Sequence, residues 1–315
     1  MSENKKIATR EAYGKALADL GSQNQRIVVL DADLSKSTKT CDFAAAHPDR
    51  FFNIGIAEQN MIGVAAGLAV SDKIPFVSSF AVFATGRAYE QIRNSVAYPF
   101  ANVKIAATHA GITVGEDGAT HQALEDIALM RALPGMTVVV PADALETEQA
   151  VAALTQMYGP AYLRLGRLST STVNMPDYEF RLGKGVLLRP GKDIAIFACG
   201  MMVQPSLEAA DLLANEGIAA AVANIHTIKP LDKDFIIDLA SCCGAALTVE
   251  EHNIIGGLGS AVAETLVENK PIPMLRVGVE DVFGQSGSPA ALLETYGLTP
   301  AAISQKAKRA LAMKK

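Results

Sequence analysis

The chain has 315 residues, 50% of them apolar, with a formal charge of −5 and a pI near 5.6. That length supports a substantial core and about two domains. The acidic balance excludes a general nucleic-acid-binding role, which needs clustered Lys and Arg, and no uninterrupted apolar run reaches the length of a membrane helix.

The amino-terminal stretch MSENKKIATREAYGKALADLG lacks the continuous apolar core of a signal peptide. Cys41, Cys199, Cys242 and Cys243 follow neither a zinc spacing nor a disulfide framework. Buried reduced thiols in a soluble, cytoplasmic protein are therefore expected. Downstream, short β-rich runs alternate with segments of helical period. IVVLDAD, PFVSSF, VKIAATH, TVVVPAD and AYLRLGR predict strands, and their near-continuous apolar character suits a parallel sheet covered on both faces. Glu58–Val70, Ala88–Ala97, Leu124–Leu133 and Ala144–Met157 predict helices between them, with Asp143 as the N-cap of the last. The rhythm breaks across LSTSTVNMPDYEFRLGKGV, which puts a domain boundary within residues 170–190. DIAIFACG, AAVANIH, ALTVEE and MLRVGVE then predict a second alternating series. The expected fold is α/β in two domains, residues 1–175 and 186–315.

In open α/β sheets, ligands gather at the carboxyl ends of strands. Asp31, Asp33, Ser35 and Ser37 follow one predicted strand, His109 opens the loop after another, and Arg167 closes a third. The loop THAGITVGEDGATHQ holds His109, Asp117 and His121, among glycines that let a backbone approach a ligand. The spacing of these three matches no compact metal site. A metal site, an acid/base pair, an oxygen-rich substrate site and a purely structural loop all stay open on residue types alone. Glu58 begins an otherwise apolar helix. A carboxylate in the first turn complements the helix dipole without any function. A helix this apolar is also expected to be covered by protein at both ends, which would desolvate Glu58 and ready it to share a proton with a ligand. Phe80 and Phe83 either pack the core or wall a flat heterocycle. GGLGS, residues 256–260, lacks a Walker lysine and reads as helix-start packing. Glu250, Glu251 and His252 stand just before it at a strand end, and Cys242-Cys243 reads as packed apolar surface.

FFNIGIAEQN, SSFAVF, THAGITVGEDGATHQ and TVEEHNIIGGLGSAVAE, in that order, resemble the transketolase family of thiamine diphosphate enzymes over nearly the whole chain. The resemblance covers the family's pyrimidine-binding and carboxyl-terminal domains. The GDG…N signature of its diphosphate-binding domain is missing, and no GDG occurs in the sequence. The resemblance implies the carboxyl-terminal subunit of a split transketolase, moving a two-carbon ketol unit from a ketose (phosphate) to an aldose (phosphate), as in pentose phosphate metabolism. It implies thiamine diphosphate as cofactor, Mg2+ held by ligands of an N-terminal partner subunit, and an α2β2 assembly. No metal ligand is expected on this chain.

The same resemblance implies residue roles. Glu58 would hydrogen-bond the cofactor's aminopyrimidine ring nitrogen, switching its tautomer so that the thiazolium carbon is activated. Phe83 would stack on the pyrimidine, with Phe80 a second wall and Asp33 near the cofactor and dimer contact. His109, Asp117 and His121 would contact the sugar's carbonyl and hydroxyls, the two histidines as catalytic groups, and Arg167 and Ser37 would bind the sugar phosphate. Gly86 stands where many transketolases carry an aromatic, and His109-Ala110-Gly111 where they read His-Asp-Ser, so the pocket rim is altered. A deoxyxylulose-phosphate synthase relative, the beta subunit of a 2-oxo acid dehydrogenase and a non-catalytic regulatory paralogue are the alternatives. The paired histidines count against the second. The joint presence of Glu58, Phe83, His109, Asp117, His121 and Arg167 counts against the third.

Overall fold

The computed structural model describes residues 6–314, so residues 1–5 and 315 of the expected domain spans lie outside the described residues. In the strand Ile27–Asp31 (β1), Ile27 and Val29 enter one apolar cluster while Val28 and Leu30 enter another. Successive side chains point to opposite faces, so a strand covered on both sides has to be apolar throughout. β2 (Phe51–Asn53) is a short, partly exposed edge strand, while β3 (Ile74–Ser78), β4 (Lys104–Ala107), β5 (Thr137–Val139) and β6 (Ala161–Arg164) are buried throughout like β1. Among themselves these six strands run parallel. The second series supplies β7 (Val186–Arg189), β8 (Ile194–Ala198), β9 (Ala220–Asn224), β10 (Thr227–Lys229), β11 (Ala246–Asn253) and β12 (Met274–Val279). The second sheet has the order β12-β11-β8-β9-β7. The first has the order β10-β5-β6-β4-β3-β1-β2.

One strand crosses between the halves. β10 lies in the second half of the sequence yet pairs antiparallel with β5, Thr227 opposite Val139. One apolar cluster accordingly contains Val138 and Val140 together with Ala195, Phe197 and Ala223. The two halves share a core.

Helix α1 (Thr9–Gln23), which the periodicity reading leaves out, buries Tyr13 and Leu17 against Val29 and Phe76. Helix α2 (Glu58–Val70) covers the other face with Met61, Ile62 and Ala65. Beyond them come α3 (Asp126–Ala132) and α4 (Ala144–Gln156). The expected cap of α4 is present, since Asp143 accepts from the Glu146 N–H at 2.8 Å. The other Asp143 oxygen accepts from the N–H groups of Val173 and Asn174 at 2.8 and 3.0 Å, which ties down the inter-domain segment.

Three expectations need correction. Residues 88–97 are not a plain α-helix: Phe83–Arg87 and Ile92–Ala97 are π-helical around a short α turn, Tyr89–Gln91. One extra residue per turn re-aims the side chains, a change that apolar spacing does not reveal. Helix α2 is not covered at both ends. Glu58 is buried, but Val70 is 87% exposed, because none of the described residues covers the apolar positions outside the core-facing stripe. The thiols also differ from expectation: Cys199 and Cys243 are buried, Cys41 is partly exposed and Cys242 is exposed, since α5 (Lys233–Cys243) turns only one of its adjacent pair inward. Among the described residues, no helix is long and apolar enough to cross a membrane.

Candidate functional site

Glu58 opens α2 at the carboxyl end of the first sheet, where it is 1% exposed. Ser79, just past β3, donates its hydroxyl to Glu58 Oε1 at 3.2 Å, and Arg87 Nη1 donates to Oε2 at 2.8 Å. Arg87 ends the π-helical turn that begins at Phe83, and its guanidinium lies 4.7 Å from the Phe83 ring centre.

Backbone pairing continues past the strand ends from Phe80 to Thr108, and this places the glycine-rich loop over the phenylalanines. Phe80 stacks on His109 at 3.9 Å and on Phe83 at 5.9 Å. His121 meets Phe83 edge-on at 5.2 Å and Phe80 at 6.3 Å. Phe80, Phe83, His109 and His121 therefore form one ring cluster, joined to Glu58 through Arg87.

His109 has a left-handed backbone (φ +57) and is 4% exposed. Burial, and after it the cations Arg10 and Arg167 and the His121 ring, push its pKa down to about 3. It is neutral at pH 7. Its Nε2 lies 3.4 Å from Arg10 Nη1 and its Nδ1 2.8 Å from Thr108 Oγ1. A guanidinium only donates, so Nε2 accepts and the ring proton sits on Nδ1.

Arg10 was not foreseen from the sequence. Thr9 Oγ1 accepts from the Gly166 N–H at 2.8 Å, pinning the start of α1 to the end of β6, and Arg10 then donates to Ser37 O at 2.8 Å. Burial lowers the Arg10 pKa; Glu11 opposes the shift and Arg167 adds to it. Among the described residues, its buried Nε has no hydrogen-bond partner. Arg167 is partly exposed and donates to Val114 O and, at 3.3 Å, to Glu116 Oε2. Two guanidiniums thus act on His109, Arg10 in contact with its ring nitrogen and Arg167 through its charge. Arg164, the last residue of β6, is spent on structure: it is buried and pairs with Asp126 at 2.7 Å.

The second domain props the loop. Glu251 Oε1 accepts from the Thr113 N–H at 2.7 Å, and a side-chain carbon at Gly111 (φ +84) would run into the Glu251 carboxylate. Glu250 accepts from the N–H groups of Leu258 and Gly259, both at 2.7 Å, so the GGLGS helix start is capped by protein. Asp31 is likewise consumed, by Leu34 N–H and the Thr38 and Thr40 hydroxyls. Two candidates stand apart. Asp33 is exposed and accepts from Asn53 Nδ2 at 2.9 Å, while Asp117 is exposed at the end of the short helix Ile112–Asp117. Gly86 borders open space: among the described residues, nothing beyond its own local backbone lies within 4 Å of where a side-chain carbon would stand. Among the described residues, no group of three His, Cys, Asp or Glu is placed to hold a metal ion.

Residues 5–172 match the family described as transketolase, pyrimidine binding domain, and residues 183–303 match transketolase, C-terminal domain. A protein of Methanocaldococcus jannaschii named putative transketolase C-terminal section is 49% identical, covering 94% of each chain. A 6-deoxy-6-sulfo-D-fructose transketolase subunit of a Clostridium species is 44% identical over 95% of this chain and 92% of that protein. A solved structure described as a split gene transketolase, inactive beta4 tetramer, is 56% identical over 99% of this chain and 100% of that one, with a TM-score of 0.91.

Proposed function

The chain belongs to the transketolase family, as the carboxyl-terminal section of its split form, and from that premise we propose which of its side chains carry the transfer. The family depends on thiamine diphosphate, which supplies a nucleophilic carbon able to hold a two-carbon ketol unit. The residues present fit that group. A buried carboxylate beside two near-parallel phenyl rings (interplanar angle 15°) offers a hydrogen-bond partner and apolar walls to a flat aminopyrimidine. Glu58 holds and returns a proton at the ring nitrogen, Phe83 stacks on the ring, Phe80 backs it, and Asp33 lies at the margin of the cofactor and dimer contact. Mg2+ and the diphosphate are held by an N-terminal partner subunit carrying the GDG…N domain, in a cytoplasmic α2β2 assembly active in pentose phosphate chemistry. Domain limits at 1–175 and 186–315 go with this reading.

The donor lies along the ring cluster. His109 and His121 hydrogen-bond the ketose carbonyl and hydroxyls, His109 as a neutral ring, and Asp117 takes a further hydroxyl. A terminal phosphate sits between Arg167, Arg10 and Ser37. The observation that carries this reading is the position of His109, its ring stacked on Phe80 at 3.9 Å and its Nε2 3.4 Å from Arg10. It joins the aromatic seat to the cation pair. A sulfonate, such as that in the name of the Clostridium relative's substrate, presents the same oxyanion face to a guanidinium pair. Relatives named as transketolases do not favour the synthase, dehydrogenase or regulatory alternatives.

The test is kcat/KM for a ketose phosphate and for its free sugar, with the N-terminal partner present. Arg167→Ala and Arg10→Ala should each cost the phosphorylated donor ~1.5–3 kcal/mol, roughly 10- to 100-fold, and the free sugar far less. Equal losses on both donors would move phosphate recognition elsewhere.

A further inference from the structure

We propose that Arg87 is a further residue of the site: in the unassembled chain its guanidinium fills the seat between Glu58 and Phe83, and an aminopyrimidine loads by displacing it. This rests on the reading of that seat given above. Two observations meet at this side chain. Its Nη1 holds Glu58 Oε2 at 2.8 Å while Ser79 holds Oε1, so both carboxylate oxygens are engaged. Its guanidinium also lies over the Phe83 ring at 4.7 Å. Phe80 is stacked parallel to Phe83 and His121 meets it edge-on, so a flat ring that stacks on Phe83 needs the place the guanidinium takes.

Exposure decides which partner moves. The Arg87 side chain is 47% exposed against 1% for Glu58, so the arginine leaves without opening a cavity and the carboxylate stays. Gly86 beside it borders open space, which gives the side chain room to swing. A buried carboxylate stripped of its partner is costly. Arg87 therefore departs as a ring nitrogen arrives to replace it, and until then the seat is closed by the chain's own side chain. Both contacts are made by one half-exposed arginine, so each is weak enough for a ligand to replace.

The experiment titrates the full isolated chain with 4-amino-5-hydroxymethyl-2-methylpyrimidine, followed by saturation-transfer NMR and calorimetry. Arg87→Ala should bind it about five- to tenfold more tightly than wild type. Arg87→Met, which keeps the packed stem and drops the charge, should gain similarly and stands in if the alanine variant does not fold. The gain should vanish in Glu58→Gln/Arg87→Ala, because the carboxylate that the displacement frees is gone. Equal affinity in wild type and the Arg87 variants, including no binding by any, overturns the proposal, as does weaker binding by the variants. The seat itself is judged separately, by ketol transfer of the Glu58→Gln chain with its partner. Loss of transfer there with unchanged Arg87 affinities removes the displacement alone, whereas full transfer removes the seat.

Discussion

His109 is held between a phenyl ring and a guanidinium, and burial with the neighbouring cations sets its pKa at about 3, against an ordinary 6.5. The unfolded chain therefore binds more protons than the folded one between those values. Its contribution to stability rises with pH through that window and is lost toward acid. An NMR titration should show the His109 ring signals flat between pH 5 and 8; an inflection near its ordinary value would contradict a neutral, hydrogen-bonding role. How far such residues were legible differs case by case. The sequence run AYLRLGR predicts Arg164 and Arg167 on opposite faces of one strand; in the structure the strand stops at Arg164, which is buried, and Arg167 stands in the bend beyond it, partly exposed. Arg10 could not be found this way. It meets His109 across 99 residues of sequence, through a helix start pinned by Thr9, and no local pattern encodes that contact. Arg87 was hidden for another reason, since its aim depends on a π-helical turn set by packing rather than by spacing.

The helix Glu58–Val70 matches its sequence reading residue for residue, because its apolar run is long and bounded by a first-turn carboxylate. Helix α1 escaped because its buried positions, Ala12, Tyr13, Ala16 and Leu17, sit in a polar stretch with a weak apolar stripe. The strand β4 carries a surprise at its first residue. Lys104 is fully buried, its ammonium donating to the carbonyls of Met157 and Gly159 at 2.8 and 2.6 Å. Burial lowers its pKa from 10.5 to about 7. The folded-state value lies below the unfolded one, so the unfolded chain holds the extra proton between the two and stability rises as pH climbs through that range. Urea melts of wild type and Lys104→Met at pH 7, 8, 9 and 10 should show wild type gaining on the variant. Parallel curves would mean that the ammonium stays charged in the fold, satisfied by its two carbonyls.

At the scale of the molecule, the second domain serves the first. It lends β10 to the first sheet, shares an apolar core with it, and braces the histidine loop through Glu251. Gly111→Ala should therefore loosen the loop from outside the ring cluster, raising the donor KM and lowering the thermal midpoint, because its methyl group meets the buried Glu251 carboxylate at a left-handed backbone; an unchanged KM would mean that the brace is dispensable. Two alternating series and the break between them were readable in the sequence. The strand exchange was not, because three residues carry too little period to reveal which sheet they join. Around α2 the chain is open: Phe52 is 40% exposed, Ile56 78% and Val70 87%. Exposed apolar surface of this kind marks a place where protein docks. On the function proposed above, it accompanies a site whose acid and aromatic walls are supplied by this chain and whose diphosphate ligands are supplied by its partner. The central claim, that this chain is one half of a two-subunit transketolase site with Glu58 as its proton carrier, is tested by a single titration. Ketol transfer is measured at fixed cofactor and Mg2+ while N-terminal subunit is added to wild type and to Glu58→Gln. The account predicts no transfer by either chain alone, transfer that appears and saturates at equal subunit amounts for wild type, and none for Glu58→Gln. Transfer by the isolated chain, or equal transfer by the two reconstituted forms, would contradict it.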